Sequence, residues 1–141
     1  MGKRIYKVLE SDKELRLLHN HIKAYNLKAE KSEKIKPQHT KTAETLIKLA
    51  LKKEVNFTNP LYLSDTELNG IGVTCGYFKD NGAAIASQLQ IHPKSFDRHL
   101  KRLEKAAIAA SYKVANNGKQ IRAKGKYYET LFAINKQFFK L

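Results

Sequence analysis

Lys94, Arg98, Lys101 and Lys105 recur at intervals of three and four residues. If each residue advances 100° about a helix axis, these four fall at about 0°, 40°, −20° and 20° from Lys94, on one narrow stripe. Phe96, Leu100 and Leu103 fall at about 200°, 240° and 180°, on the opposite side. Four like charges on one stripe repel one another, so they are a poor choice for stability alone. Against phosphates they become complementary, and an arginine among them can also read a base edge with two parallel hydrogen bonds. Ser95 and Arg102 flank the stripe, while Asp97 and Glu104 gather on a third side where they neutralise it poorly. Downstream, Lys113, Lys119, Arg122, Lys124 and Lys126 surround the turn-forming Asn116, Asn117 and Gly118, with no acidic residue between Lys105 and Glu129.

Other chemistries fit the sequence less well. His19 and His21 are two residues apart, which on a helix points their rings in different directions, and His39, His92 and His99 lack acidic or thiol companions at ligand spacing. No metal site is expected; His92 reads as a helix cap and His99, at about 140° on the same wheel, as a residue bordering the core. Gly70, Gly72 and Gly76 do not form a phosphate loop with Lys and Ser or Thr. Cys75 stands alone without an activating base, which excludes an internal disulfide and a thiolate zinc site and fits a reducing compartment. No enzyme and no cofactor are expected. The seven tyrosines raise the alternative of base stacking on RNA. They alternate with other apolar residues in strand-like runs, however, which assigns most of them to packing.

A basic stripe is useful only if something holds its helix. The 141 residues suffice for one compact domain with an extension, and 42% hydrophobic residues supply a core. The formal charge of +14 is unevenly spread: residues 1–40 carry ten basic and five acidic side chains, 41–80 five of each, and 81–141 twelve and three. Uniform solubilisation would not need that bias. No apolar run approaches the roughly 18 residues of a bilayer span, and no apolar segment follows the first basic residues, so a cytoplasmic, nucleoid-associated protein is expected.

Ser11 and Glu14 have the spacing of a capping box, and Leu15, Leu18, Ile22 and Tyr25 follow at helical spacing, which predicts an amphipathic helix over 12–30. Residues 31–38, with Pro37 and several charges, read as a linker. That linker would free the first helix to pair with a second copy, so a homodimer through the N-terminal helix is expected. A second helix should begin near Thr40 or Thr42 and end before Asn56. Between residues 57 and 81, Asn59-Pro60, Asn69-Gly70, Gly72, Gly76 and Asn81-Gly82 interrupt every pattern, leaving a loop with one short strand near 61–63. A short helix over 83–89, a three-residue turn and a helix from Pro93 to about Ala106 follow, Pro93 suiting a first helical position. Residues 108–114 and 127–134 then read as two strands around a charged turn. The fold class expected is mostly α with a small β-hairpin, divided into an N-terminal basic helical extension (1–39) and a DNA-binding domain (40–141).

The stretch 85–108 resembles the helix-turn-helix core of winged-helix DNA-binding domains of bacterial transcription regulators. Ala86 matches the Ala that packs the two helices, Ile91 the apolar residue after the turn, and Leu100-Lys101-Arg102-Leu103-Glu104 the helix end that leads into the wing. The closing Tyr127-Tyr128-Glu129-Thr130-Leu131-Phe132-Ala133-Ile134-Asn135 is similar to the last wing strand of plasmid and phage replication initiators. The chain departs from that pattern in having Gln90 where the turn often holds Gly, His92 where a Ser or Thr caps, and Ala107 where Gly follows the recognition helix. A side chain at a positive-φ position costs about 1 kcal/mol.

The resemblance implies a winged helix-turn-helix with an N-terminal helical extension, binding double-stranded DNA. Lys94, Ser95, Arg98, Lys101, Arg102 and Lys105 would lie at the major groove, with Asn117, Lys119, Arg122, Lys124 and Lys126 on the wing. Transcriptional regulation in a bacterium or mobile element is the expected role. A replication-initiation or accessory protein of a plasmid, phage or transposon is the alternative, and an RNA-binding or protein-interaction winged helix a more distant one.

Overall fold

The computed structural model describes residues 2–53, 55–57, 68, 71–115 and 128–139, with the backbone alone for 2–14, 113–115 and 128–129. Among them are four helices, α1 (Gly2–Lys28), α2 (Pro37–Lys52), α3 (Gly82–Gln88) and α4 (Pro93–Lys105), and three strands, β1 (Cys75–Asp80), β2 (Ala109–Ala115) and β3 (Tyr128–Asn135). The fold is mixed, mostly helical with a small antiparallel sheet, as the sequence predicts at that level.

The sheet has the order β1-β3-β2, so the last strand is central. Phe78 of β1 lies opposite Phe132 of β3, and Ala110 of β2 opposite Ala133. Period-two alternation divides the strands between two cores. On one face Phe78, Phe132 and Ile134 meet Leu46 and Ile47 of α2, Ile85 and Ala86 of α3, and Phe96, Leu100 and Leu103 of α4. The rings of Phe78 and Phe132 stack at 5.3 Å, and Phe96 meets Phe132 edge-on. On the other face Cys75, Tyr77, Ala110, Leu131 and Ala133 are covered by Leu68 and Val73. Gly76 lies close under the chain leading out of α2, where a Cβ would come within 2.6 Å of Val55 Cγ2.

Four expectations are corrected. The 57–81 region contains a strand, Cys75–Asp80, because β3 offers it six residue pairs; the short strand expected at 61–63 lies outside the described residues. Local turn formers such as Gly76 hid a segment that long-range pairing makes regular. Second, α1 is helical from Gly2, so Ser11 stands inside the helix and does not start it. Third, α2 starts at Pro37, whose fixed φ and missing N–H suit the first helical position, ahead of Thr40 and Thr42. His39 Nδ1 accepts the backbone N–H of Lys36 at 3.0 Å, which closes that helix start.

Fourth, residues 31–38 are not a free linker. They form a 3₁₀ turn (Lys31–Glu33) and two extended residues on either side of Ile35, which is 5% exposed. Asn26 of α1 holds Ile35 through both backbone groups, donating to its carbonyl at 3.0 Å and accepting from its N–H at 2.8 Å. The core therefore runs across the boundary expected at 39. Leu18 and Ile22 of α1 belong to the same cluster as α2 and α4, and the apolar face offered to a second copy is filled by this chain's own residues.

Candidate nucleic-acid interface

Between α3 and α4 the chain turns in four residues, Leu89 to His92. Ala86 is 1% exposed and packs in the core, as the turn requires. Gln90 adopts φ 59°, the N–H of Ile91 donates to the Ala86 carbonyl, and that of Gln90 to Ser87. This is a left-handed helix end closed by two backbone bonds. Ala107 repeats it after α4 at φ 58°, with Ile108 donating to Leu103 and Ala107 to Glu104. Both positions where the chain departs from glycine are left-handed, so the turn keeps its shape at a conformational cost of about 1 kcal/mol per residue. The third departure also has a function: His92 Nδ1 accepts the N–H of Lys94 at 3.1 Å and caps α4.

The wheel drawn from spacing is realised in burial. Phe96, Leu100 and Leu103 are buried, whereas Lys94, Arg98, Lys101 and Lys105 are exposed. His99 borders the core at 9% exposure, its Nδ1 2.8 Å from Thr42 Oγ1 and its ring edge-on to His39 at 4.8 Å. Burial lowers the pKa of both imidazoles, followed for His39 by the nearby His99 and for both by Arg102; His39 is brought down to about 4. Two neutral rings thus fasten α4 to α2 at neutral pH. Glu104, half-buried on the third side, has its pKa raised by burial, an effect that Lys101 opposes.

The six cationic or polar candidates on α4 separate into two groups. Arg102 Nη1 donates to the carbonyl of Lys34 at 2.7 Å, and Lys105 Nζ pairs with Glu33 Oε1 at 3.0 Å. These two are held by the 3₁₀ turn before α2, which the sequence reading treated as a linker; the signal available was one isoleucine, Ile35, among charges. Lys94, Arg98 and Lys101 form no salt bridge among the described residues and point outward with the half-buried Ser95 beside them. What remains is a compact cationic strip on the first two and a half turns of α4.

The hairpin expected after α4 is present, with seven residue pairs from Ala109 opposite Ile134 to Ala115 opposite Tyr128. Asn117, Lys119, Arg122, Lys124 and Lys126 lie outside the described residues, as do Asn116 and Gly118. Other histidines have partners within the chain: His19 Nε2 is 2.7 Å from Glu44 Oε2, and His21 Nε2 donates to the carbonyl of Ala106 at 2.6 Å. Cys75 is buried in the smaller core. No described helix is long and apolar enough to cross a membrane. No known family, curated protein or solved structure matches the chain.

Proposed function

We propose that the protein is a winged-helix, sequence-specific binder of double-stranded DNA. In this reading α4 lies in the major groove, Lys94, Ser95 and Arg98 near its N-terminal end face base edges, and Lys101 faces phosphate. The basic hairpin turn, with Asn117, Lys119, Arg122, Lys124 and Lys126, lies along the adjacent backbone or minor groove. The observation that carries the reading is the cationic strip of Lys94, Arg98 and Lys101, exposed and without salt bridges among the described residues, on a helix whose opposite side is locked into the core. Like charge concentrated on one helix face is unfavourable in the free protein and is relieved by a polyanion.

The order of elements, two helices joined by a tight turn and then an antiparallel hairpin, adds support, since it is that of a helix-turn-helix followed by a wing. Transcriptional regulation in a bacterium or mobile element is the role that goes with this arrangement.

Fluorescence anisotropy of a labelled random-sequence duplex over a series of salt concentrations tests the proposal. Binding should weaken steeply with salt, and because all three cations meet phosphate when no preferred site is present, Lys94→Ala/Arg98→Ala/Lys101→Ala should remove about three units from the slope of log affinity against log salt. Absence of binding at low salt, or an unchanged slope in the triple variant, would overturn it.

A further inference from the structure

We infer that Lys34 and Lys36 form a second, flanking phosphate contact beside α4, on the stretch of chain that Arg102 and Lys105 dock there. The inference rests on the proposed DNA-binding reading and extends it to a part of the molecule before the helix-turn-helix.

The path of the chain around α4 carries the argument. Thr42 meets His99, at about 140° from Lys94 on the helix wheel; the Lys34 carbonyl meets Arg102, at about 80°; and Glu33 meets Lys105, at about 20°. Followed backwards from α2, the chain therefore climbs around α4 from the edge of its buried side to the cationic strip itself. It borders the proposed groove-facing surface and does not lie behind it.

Alternation then decides which side chains face outward. Lys34 (φ −64°, ψ 147°) and Lys36 (φ −92°, ψ 167°) are extended, and Ile35 between them is buried. In extended chain successive side chains point to opposite sides, so the buried Ile35 turns both lysines outward, where both are exposed. Their spacing of about 6–7 Å along the chain corresponds to about two axial phosphate steps on one DNA strand. Glu33, the acidic residue next to Lys34, is paired with Lys105, which leaves Lys34 and Lys36 to set a net positive face on the shoulder. The anchoring of Ile35 by Asn26 and of Lys34 by Arg102 fixes the segment in advance, so little ordering entropy is lost when it meets the backbone.

The test compares the full chain with Lys34→Ala/Lys36→Ala on two labelled random-sequence duplexes, one of about a single helical turn and one of about three turns. The Arg102 bond uses the Lys34 carbonyl and the helix-start bond uses the Lys36 N–H, so both survive the substitutions, and an unchanged melting temperature verifies this. On the long duplex the variant should lose about two units of salt slope, and on the short one little or none. An equal slope for variant and wild type on the long duplex overturns the inference while leaving the proposed function intact. Equal losses on both duplexes also overturn it, because the contact would then lie beneath α4 and not beside it. Failure of the wild type to bind either duplex overturns both.

Discussion

The first and last turns of α4 carry the same residue types and do different things. Among the described residues Lys94 and Arg98 project outward without a salt bridge, whereas Arg102 and Lys105, one and two turns further on, are occupied by Lys34 and Glu33. Cationic type was equal at both ends, and Lys105 shares the helical phase of Lys94 and Arg98; what differed was whether an acceptor from elsewhere in the chain came within reach. A basic residue on a predicted recognition helix is thus available to DNA only where the rest of the fold leaves it alone.

The largest effect that bears on this contrast should come from the outward end. Lys94→Ala/Arg98→Ala/Lys101→Ala should weaken binding to a preferred duplex site by at least a hundredfold at low salt, if Lys94 and Arg98 contribute about 1–3 kcal/mol each at base edges and Lys101 binds phosphate. Its urea midpoint should not fall. An equal loss of stability and binding would erase the difference between the two ends.

Acid should act on the anchoring of α4 instead. His39 titrates near 6.5 when unfolded and at about 4 when folded, and the pKa of His99 is lowered as well. The unfolded chain therefore binds more protons between pH 6.5 and 4. Stability is highest above that window and falls as the pH drops through it, by up to about 1.4 kcal/mol per pH unit for each such group. Urea titrations at pH 7 and pH 4.5 should show this, and His39→Gln should flatten the dependence.

At the inward end, Arg102→Ala should lower stability by about 0.5–1.5 kcal/mol in urea denaturation through loss of the bond to the Lys34 carbonyl. It should reduce the salt slope of DNA binding less than Arg98→Ala does. Glu33→Gln is a sharper probe, because it releases Lys105 towards solvent. The exposed ion pair contributes only about 0.2–1 kcal/mol, but one more free cation should steepen the salt slope by up to about 0.9. The smallest effect belongs to the turns. Gln90→Gly and Ala107→Gly relieve left-handed side-chain strain at some cost in unfolded-chain entropy, so each should raise the melting temperature slightly, by about 0.5 kcal/mol equivalent.

By itself the sequence determined the elements whose signals are local. The period of Phe96, Leu100 and Leu103 against the four cations marked α4 and its two sides, Pro93 and His92 marked its start, and two apolar runs on either side of a charged stretch marked the paired strands β2 and β3. Helical period, capping and turn chemistry act over a few residues, so they are written in neighbouring positions. Only the tertiary structure decided that Cys75–Asp80 is a strand, because its regularity comes from six pairs with β3 fifty to sixty residues away. It also decided that residues 31–36 are a docked shoulder. That depended on Asn26, Arg102 and Lys105 arriving at the same place, and no spacing along the chain records a meeting between residues about seventy positions apart.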